Sequence, residues 1–206
     1  MQVFERTDCP FCWKVRLAAA ELGVALDLVA SRPGDPHPEV SRLSPTATVP
    51  VLTDGELALW ESAVICGYLD ELGSGGLYGS TPSARAAVRL LEAYSDRLAA
   101  EGLKDAVFEL RSKAPGERHA SRVEQGLARW GERLADLAAR LGDKPWFAGT
   151  FSVADCALGP RLGVAEAYGI DTFRRHGNLA AWFERLKARP AWQQAYPNQF
   201  IGLPRG

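Results

Sequence analysis

The chain opens with MQVFERTDCPFCWKVRLAAAELGVALDLVA, residues 1–30, and this stretch decides the fold of its first part. Apolar residues lie together near the start, then recur at helical spacing, and then alternate with their neighbours in the period of a strand. Pro10 suits the first turn of a helix, and Gly23 suits its end. The pattern therefore predicts a β-α-β unit, with a strand over residues 1–5, a helix over 10–22 and a strand over 24–29.

The residues that follow continue the same domain. Asp54-Gly55 separates two short apolar runs, at 49–52 and 57–60, and this dipeptide is the strongest two-residue signal for an antiparallel hairpin. The order β-α-β-α-β-β-α is that of a thioredoxin-like domain over residues 1–73. The other predicted parts of this domain are a proline-rich loop at 31–38, a short helix at 39–43, and a helix that opens at Glu61-Ser62 and ends near Gly73.

The second half of the chain has a different pattern. Residues 74–82 are rich in glycine, serine and proline and predict a linker. Beyond the linker, almost every segment has helical periodicity. The fold class is therefore an α/β domain followed by an all-α helical bundle at 83–206. Its predicted helices cover residues 83–112, 118–141, 152–168, 178–188 and 191–195.

Composition and charge argue against several classes of function. The 24 Lys and Arg residues are interleaved with 25 Asp and Glu residues, so no basic stripe marks a nucleic-acid partner. No apolar run approaches the roughly 20 residues of a membrane span, and the chain begins in a strand pattern rather than a signal peptide. The four cysteines do not resemble the disulfide framework of a secreted protein. We therefore expect a cytoplasmic protein with no nucleic-acid or membrane partner.

The motif Cys9-Pro10-Phe11-Cys12 bears the most chemistry. Two thiols three positions apart are typical of a dithiol redox site, although half of a zinc site or a pair of structural thiols has the same spacing. A zinc site needs a second ligand pair, and the other cysteines and the three histidines are scattered, so we expect no metal. Cys9 directly precedes the helix, where the helix dipole favours a thiolate, whereas Cys12 lies one turn deeper. Cys9 is thus the expected nucleophile, and Cys12 is the candidate resolving thiol.

Two further motifs are ambiguous when taken alone. Pro50 begins a strand, where it either is an ordinary trans edge proline or presents its neighbour's backbone groups to a ligand. The residues favour the trans proline. Glu61-Ser62 begins a helix, where the hydroxyl either caps its own helix or joins the free N–H groups in binding a carboxylate, with the Glu holding an ammonium group. The residues favour the capping role.

Taken together, Cys9-Pro-Phe-Cys12, Thr48-Val49-Pro50-Val51-Leu52, Glu61-Ser62-Ala63 and the helical second half resemble the glutathione transferase superfamily in order and spacing. Glutaredoxins also carry the Pro-Phe pair between two cysteines. The resemblance implies that Pro50 is cis, that the backbone of Val49 pairs with the cysteinyl part of glutathione, and that Glu61-Ser62 binds the γ-glutamyl end. It also implies a homodimer. The implied glutathione-binding residues are Phe11, Thr48, Val49, Pro50, Glu61 and Ser62.

The residue at the active position indicates the branch of the superfamily. Many members activate glutathione with a Tyr or Ser near the end of the first strand, but here that position holds Cys9, as in cysteine-type members such as the omega class and dehydroascorbate reductases. The resemblance therefore implies a glutathione-dependent thiol–disulfide oxidoreductase with Cys9 and Cys12 as catalytic residues, glutathione as co-substrate, and a small electrophilic or disulfide substrate. The alternatives are a transferase that conjugates or dehalogenates an electrophile, and a non-catalytic regulatory partner such as the stringent starvation-type proteins.

The sequence departs from the family pattern in the loop that binds the glycyl carboxylate of glutathione. Arg32, His37 and Arg42 are the candidates there. The pocket for the second substrate is expected beside Phe11 and residues near Tyr94.

Several other residues have expected structural roles. Ser152 and Asp155 have the spacing of a helix capping box. Cys66 and Cys156 are expected in the core. Lys14 and Arg16 are expected on a solvated face of the first helix.

Overall fold

The computed structural model describes residues 1–32 and 34–203, with only the backbone at 99 and 100. Pro33 of the predicted loop and residues 204–206 of the predicted second domain lie outside the described residues. The first domain has the predicted order of elements. They are β1 (Gln2–Glu5), α1 (Pro10–Leu22), β2 (Asp27–Ala30), α2 (Pro38–Leu43), β3 (Val51–Asp54), β4 (Leu57–Trp60) and α3 (Ser62–Leu72).

The four strands form one mixed sheet in the order β2-β1-β3-β4. β1 pairs in parallel with β2 and antiparallel with β3, so that Val3 lies opposite both Leu28 and Leu52. The strand predicted at 24–29 begins three residues late, because the N–H of Val24 bonds to the carbonyl of Ala19 and completes the end of α1 around the left-handed Gly23. The predicted β-α-β unit and the β3–β4 hairpin are confirmed.

The second domain is helical, as predicted. Its elements are α4 (Pro82–Leu98), α5 (Lys104–Ser112), α6 (Ala120–Leu141), α7 (Val153–Ala167), α8 (Gly177–Lys187) and α9 (Pro190–Ala195), with single turns of tighter helix at Pro115–Glu117 and Thr172–Arg175. Residues 153–165 of α7 are all buried, which makes this helix the centre of the domain. None of the helices in the described residues is long and apolar enough to cross a membrane.

The prediction of one continuous helix over 83–112 is wrong. A widened turn at Ala99–Leu103 separates α4 from α5, and the backbone leaves helical geometry at Gly102. This turn packs directly on α6: a Cβ on Gly102 would lie 2.9 Å from the backbone nitrogen of Trp130, and a Cβ on Gly126 would lie 3.0 Å from the carbonyl oxygen of Gly102. The helix breaks where its backbone approaches that of α6 closely, and no local sequence pattern predicts this approach.

The predicted capping box at the start of α7 is confirmed, with both reciprocal bonds present. The carboxylate of Asp155 accepts from the backbone N–H of Ser152 at 3.0 Å and also from the indole N–H of Trp182 at 2.8 Å. It therefore ties the start of the central helix to α8. Cys66 and Cys156 are fully buried, as expected.

The expected solvated positions of Lys14 and Arg16 are wrong. α1 is covered by α3 on one side and by α7 and α9 of the second domain on others, so both side chains are buried and paired. The ammonium group of Lys14 bonds to Glu92 at 3.2 Å. The guanidinium of Arg16 pairs with Glu5 and donates to the carbonyl oxygen of Ala195 at 3.1 Å. Buried charges remain only where such partners exist, and these partners are distant in sequence.

Candidate active site

Cys9 occupies the N-cap position of α1, directly after the turn that follows β1. Cys9 as a whole residue is only 7% exposed but lines open cavities, whereas Cys12 is fully buried. Two cavities meet at Cys9. We call the cavity of about 540 Å³ that extends toward β3 and α3 the first chamber, and the cavity of about 300 Å³ that extends toward α5 and α7 the second chamber.

The two thiols have opposite ionisation behaviour. The pKa of Cys9 is lowered to about 6, chiefly because the Cys12 side chain hydrogen-bonds to its sulfur. Burial raises this pKa, and the positive charge of Arg6 opposes the effect of burial. Burial and the neighbouring Cys9 raise the pKa of Cys12 well above its ordinary value. At neutral pH, Cys9 is therefore mostly a thiolate, and Cys12 is a thiol that donates to it.

Arg6 is a site residue that the sequence analysis missed. It lines both chambers, and its Nε donates to the Asp8 carboxylate at 2.6 Å. The other oxygen of Asp8 accepts from the backbone N–H of Ile201 at 3.1 Å, so the C-terminal segment helps to hold this pair beside Cys9. An arginine three residues before Cys9 is a usable sequence signal, because the turn between β1 and α1 brings that position back to the sulfur.

The six residues implied to bind glutathione lie together. Phe11, Thr48, Val49, Pro50, Glu61 and Ser62 all line the first chamber with Cys9. The Val49–Pro50 peptide bond is cis, as the resemblance implies, so the trans state favoured by the residues alone is wrong. Cys12 lines neither chamber, since it lies beneath Cys9 in the core.

Glu61 has an unusual backbone conformation. It is the N-cap of α3 with φ of 68° and ψ of 110°, and its side chain makes no capping hydrogen bond. A non-glycine residue with positive φ costs on the order of 1–2 kcal/mol, and such residues concentrate at functional sites. Ser62 follows it at the first turn of α3 and is 4% exposed. The strained turn thus presents Glu61 and the start of α3 to the first chamber.

The three basic residues that are candidates to bind the glycyl carboxylate differ in their surroundings. Arg32 lines the first chamber. Arg42 is exposed and pairs with Glu39 at 3.0 Å, and the ring of His37 accepts from the backbone N–H of Glu39 at the start of α2. Lys104, which the sequence analysis missed, joins Arg32 at the chamber wall because the break before α5 turns it toward the sheet domain.

The second chamber combines apolar and charged walls. Phe11 lines it as expected, and so does Asp96, which is near Tyr94, whereas Tyr94 itself does not and donates its hydroxyl to Asp136 on α6. Arg111 and Arg161 line this chamber and not the first, and neither was predicted. The apolar part of the lining comprises Pro10, Phe11, Leu103, Val107, Val164 and Tyr168.

Family models match both halves of the chain. The model described as glutathione S-transferase, N-terminal domain, matches residues 3–76, and the model described as glutathione S-transferase, C-terminal domain, matches residues 113–185. The chain belongs to the glutathione S-transferase family. The superfamily implied by the sequence motifs is thereby confirmed, and so is the fold of a thioredoxin-like domain followed by a helical domain.

Relatives of this transferase-family chain bear two kinds of name. A stringent starvation protein A homolog from Pasteurella multocida (strain Pm70) is 29% identical over 93% of this chain and 87% of its own length. Glutathione S-transferase F14 from Arabidopsis thaliana is 32% identical over 74% of this chain and 64% of its own length. Among solved structures, a theta-class glutathione S-transferase from Xanthomonas axonopodis pv. citri with glutathione bound has a TM-score of 0.82 at 27% identity, covering 94% of this chain and 95% of that chain.

The acidic and sulfur groups of this family member are not gathered for a metal. Across residues 1–32 and 34–203, no group of three or more His, Cys, Asp or Glu side chains could hold a metal ion. The four cysteines are all free thiols in the structure.

Proposed function

We propose that this glutathione S-transferase family member is a glutathione-dependent thiol–disulfide oxidoreductase of the cysteine type, with Cys9 as its nucleophile. The observation that carries the proposal is a thiolate with a pKa of about 6 where two chambers meet. A thiolate rather than a thiol attacks a disulfide, and the optimum attacking thiol has a pKa close to the ambient pH. A transferase that activates glutathione with a Tyr or Ser hydroxyl group does not need a cysteine thiolate at this position.

The first step is attack of the Cys9 thiolate on a glutathionylated thiol, R–S–S–G. A bond forms between Sγ of Cys9 and the glutathionyl sulfur, the original S–S bond breaks, and the leaving thiolate takes a proton from water. A second glutathione, as thiolate, then attacks the glutathionyl sulfur, which releases glutathione disulfide and restores the Cys9 thiolate. The net reaction is R–S–S–G plus one glutathione thiol giving R–SH plus glutathione disulfide, so one free glutathione thiol is oxidised for each substrate thiol released.

The first chamber suits the glutathionyl group in this scheme. The backbone of Val49, next to cis-Pro50, would pair with the cysteinyl part, and the N-terminal end of α3 with Glu61 and Ser62 would hold the γ-glutamyl end. Arg32 and Lys104 supply positive charge for the glycyl carboxylate. The glutathione-bound theta-class structure supports this assignment, since it shares the fold over almost the whole chain.

Cys12 acts in this proposal as a hydrogen-bond donor to Cys9. Its burial and its raised pKa leave it protonated while Cys9 is ionised. It closes a disulfide with Cys9 only if it loses its proton first. The reaction therefore proceeds mainly through one cysteine, with glutathione rather than Cys12 resolving the mixed disulfide.

Reduction of the mixed disulfide between glutathione and 2-mercaptoethanol tests the proposal. We expect turnover in the wild type and a loss of at least about a hundredfold in Cys9→Ser, since an alcohol is a poor nucleophile at neutral pH. Cys66→Ala is the matched control, because it removes a buried thiol that lines neither chamber. Undiminished turnover in Cys9→Ser would remove Cys9 from the reaction.

Two other functions have specific support. The apolar wall of the second chamber beside Cys9 suits conjugation of glutathione to an electrophile, and turnover of chlorodinitrobenzene well above that of the mixed disulfide would favour it. The stringent starvation protein homolog, similar over 93% of this chain, supports a non-catalytic regulatory partner. Absence of glutathione binding together with an ordinary Cys9 pKa would favour that function.

We also propose that the protein is a cytoplasmic homodimer. Four free cysteines, one of them a reactive thiolate, suit a reducing compartment. Exposed Leu57 on β4 and Val64 on α3 line one groove of the sheet domain. Sedimentation equilibrium of the wild type against Val64→Glu tests the dimer, which we expect to dissociate in the variant.

A further inference from the structure

The second chamber has an excess of positive charge. Four basic side chains line it, against the two carboxylates of Asp8 and Asp96, and each carboxylate already pairs with one of the four, Asp8 with Arg6 and Asp96 with Arg161. Within residues 1–32 and 34–203, Lys104 and Arg111 form no ion pair. The chamber therefore retains uncompensated positive charge beside an apolar wall.

Arg161 is held rigidly at the inner end of this chamber. It is 1% exposed, its Nη2 donates to Asp96 at 3.1 Å, and its guanidinium carbon lies 4.1 Å from the centroid of the Phe11 ring. Its Nη1 is buried and has no hydrogen-bond partner among the residues that the structure describes. A buried donor without a partner is costly, and a guanidinium remains protonated in proteins. Arg161 therefore lines the chamber and carries a buried donor that no described residue satisfies.

Arg111 lies on α5 and is only partly buried. It lines the second chamber and not the first, as Arg161 does, whereas Arg6 and Lys104 line both. Charge at Arg111 can therefore be removed without touching the wall of the proposed glutathione chamber. This separation makes the role of the second chamber testable on its own.

The remaining walls indicate the body of the ligand. Phe11 provides an aromatic ring, and Val107 and Val164 provide aliphatic surface in the same chamber. A volume of about 300 Å³ accommodates one ring with a short substituent. An apolar body in this chamber would share it with the two arginines that line it, Arg111 and Arg161.

We infer that the second chamber selects substrates whose leaving thiol has an apolar body with a carboxylate, bound by Arg161 and Arg111. The inference rests on the proposed function, because it concerns the R group of the glutathionylated substrate R–S–S–G. It adds a chemical class to that substrate: an organic acid of about the size of a substituted benzoate.

A pair of mixed disulfides tests the selection. One joins glutathione to 4-(mercaptomethyl)benzoate, and the other joins it to the corresponding carboxamide. The methylene group insulates the sulfur from the ring substituent, so the two leaving thiols differ little in reactivity. We expect kcat/KM for the acid to exceed that for the amide by about tenfold in the wild type, the size expected of a charge-assisted hydrogen bond.

Substitutions of single residues show which side chains cause the preference for the acid over the amide. Arg111→Gln is expected to lower the acid-to-amide ratio severalfold, because only Arg161 then remains to bind the carboxylate. The matched control is Arg97→Gln, which removes the same charge from an exposed position on α4 that lines neither chamber, and its ratio should stay at the wild-type value. Arg161→Lys keeps the charge but loses the planar fork, so we expect an intermediate ratio.

Equilibrium binding separates this inference from the proposed function. Calorimetric titration of the Cys9→Ser protein with 4-methylbenzoate and with 4-methylbenzamide needs no turnover. Tighter binding of the acid, weakened severalfold in Arg111→Gln, supports the inference even if neither disulfide is reduced, in which case the oxidoreductase function alone fails. Equal binding of acid and amide, or a ratio unchanged in Arg111→Gln, overturns the inference while leaving the function of Cys9 intact.

Discussion

The ammonium group of Lys14 on α1 and the carboxylate of Glu92 on α4 form a buried ion pair at 3.2 Å, across the boundary between the sheet domain and the helical domain. The hydroxyl of Tyr78 donates to the other carboxylate oxygen at 2.9 Å. Burial raises the pKa of Glu92, and the charge of Lys14 opposes that rise. Because Lys14 lies on the helix that begins at Cys9, this pair fixes the active helix against the second domain.

Lys14→Met is expected to destabilise the protein by about 3 kcal/mol, because it leaves the Glu92 carboxylate buried without its cation. Urea unfolding measures the effect. The double variant Lys14→Met/Glu92→Gln should recover more than half of the loss, since no unpaired charge then remains at that position. As a control, Arg42→Met breaks the exposed pair with Glu39 and should not shift the urea midpoint measurably. Equal effects of the two single variants would contradict a structural role for the buried pair.

The reactivity of Cys9 should follow a pH profile set by its lowered pKa. The rate of alkylation by iodoacetamide is expected to rise with a midpoint near pH 6 and to level off above about pH 7, since the thiolate is the reacting form. Because the pKa of Cys9 is lowered, the alkylation rate falls only when the pH drops below about 6, where the sulfur becomes protonated. Mass spectrometry identifies the alkylated residue. A midpoint near pH 9 would show that the site does not stabilise the thiolate.

Two substitutions at Cys12 distinguish a hydrogen-bond donor from a resolving thiol. Cys12→Ser retains an O–H donor to Cys9, whereas Cys12→Ala removes the donor. If Cys12 only donates, the pKa of Cys9 should rise by about one unit or more in the alanine variant and much less in the serine variant, with turnover following the pKa. If Cys12 resolves the mixed disulfide, both variants lose activity alike. Measurement of the Cys9 pKa and of disulfide turnover in each variant decides between the two.

Two glycines on the same helix provide a matched test of the packing that breaks the predicted long helix. Gly126→Ala places a Cβ 3.0 Å from the carbonyl oxygen of Gly102 and 3.1 Å from the backbone nitrogen of Ala106, so we expect a loss of about 2 kcal/mol from overpacking. Gly131→Ala has open space around its Cβ and should instead gain about 0.5–1 kcal/mol from helix propensity. Thermal and urea unfolding of both variants provide the comparison. Stabilisation by Gly126→Ala would contradict the close approach.

Local patterns predicted much of the first domain, because its determinants are close in sequence. Pro10 and Gly23 bound α1 as predicted, and Asp54-Gly55 forms the predicted hairpin turn. The Ser152–Asp155 capping box needs only three residues of separation, and it too is present. Helix ends and tight turns depend on short-range hydrogen bonds and backbone preferences, so the sequence of a single segment is enough to predict them.

Contacts between residues far apart in the sequence determined the structural features that the local patterns did not predict. The environment of Lys14 depends on Glu92, which is 78 residues away, and the break at Gly102 lies against Gly126 of another helix. The basic residues of the second chamber, Arg111 and Arg161, come from separate helices whose relative placement no local pattern contains. Their charge acquires a role only where those helices meet Cys9.

The sequence by itself determined the identity and order of the chemical groups: a cysteine before a helix, a proline at the start of a strand, and a Glu-Ser pair at a helix N-terminus. Only the tertiary structure decided which of them lie together. It placed Cys9 and Pro50 at one chamber, buried Cys12 as a donor, and brought Arg161 over the ring of Phe11. The physical reason is that ionisation and binding depend on burial and on distances between residues far apart in the chain, which only packing creates.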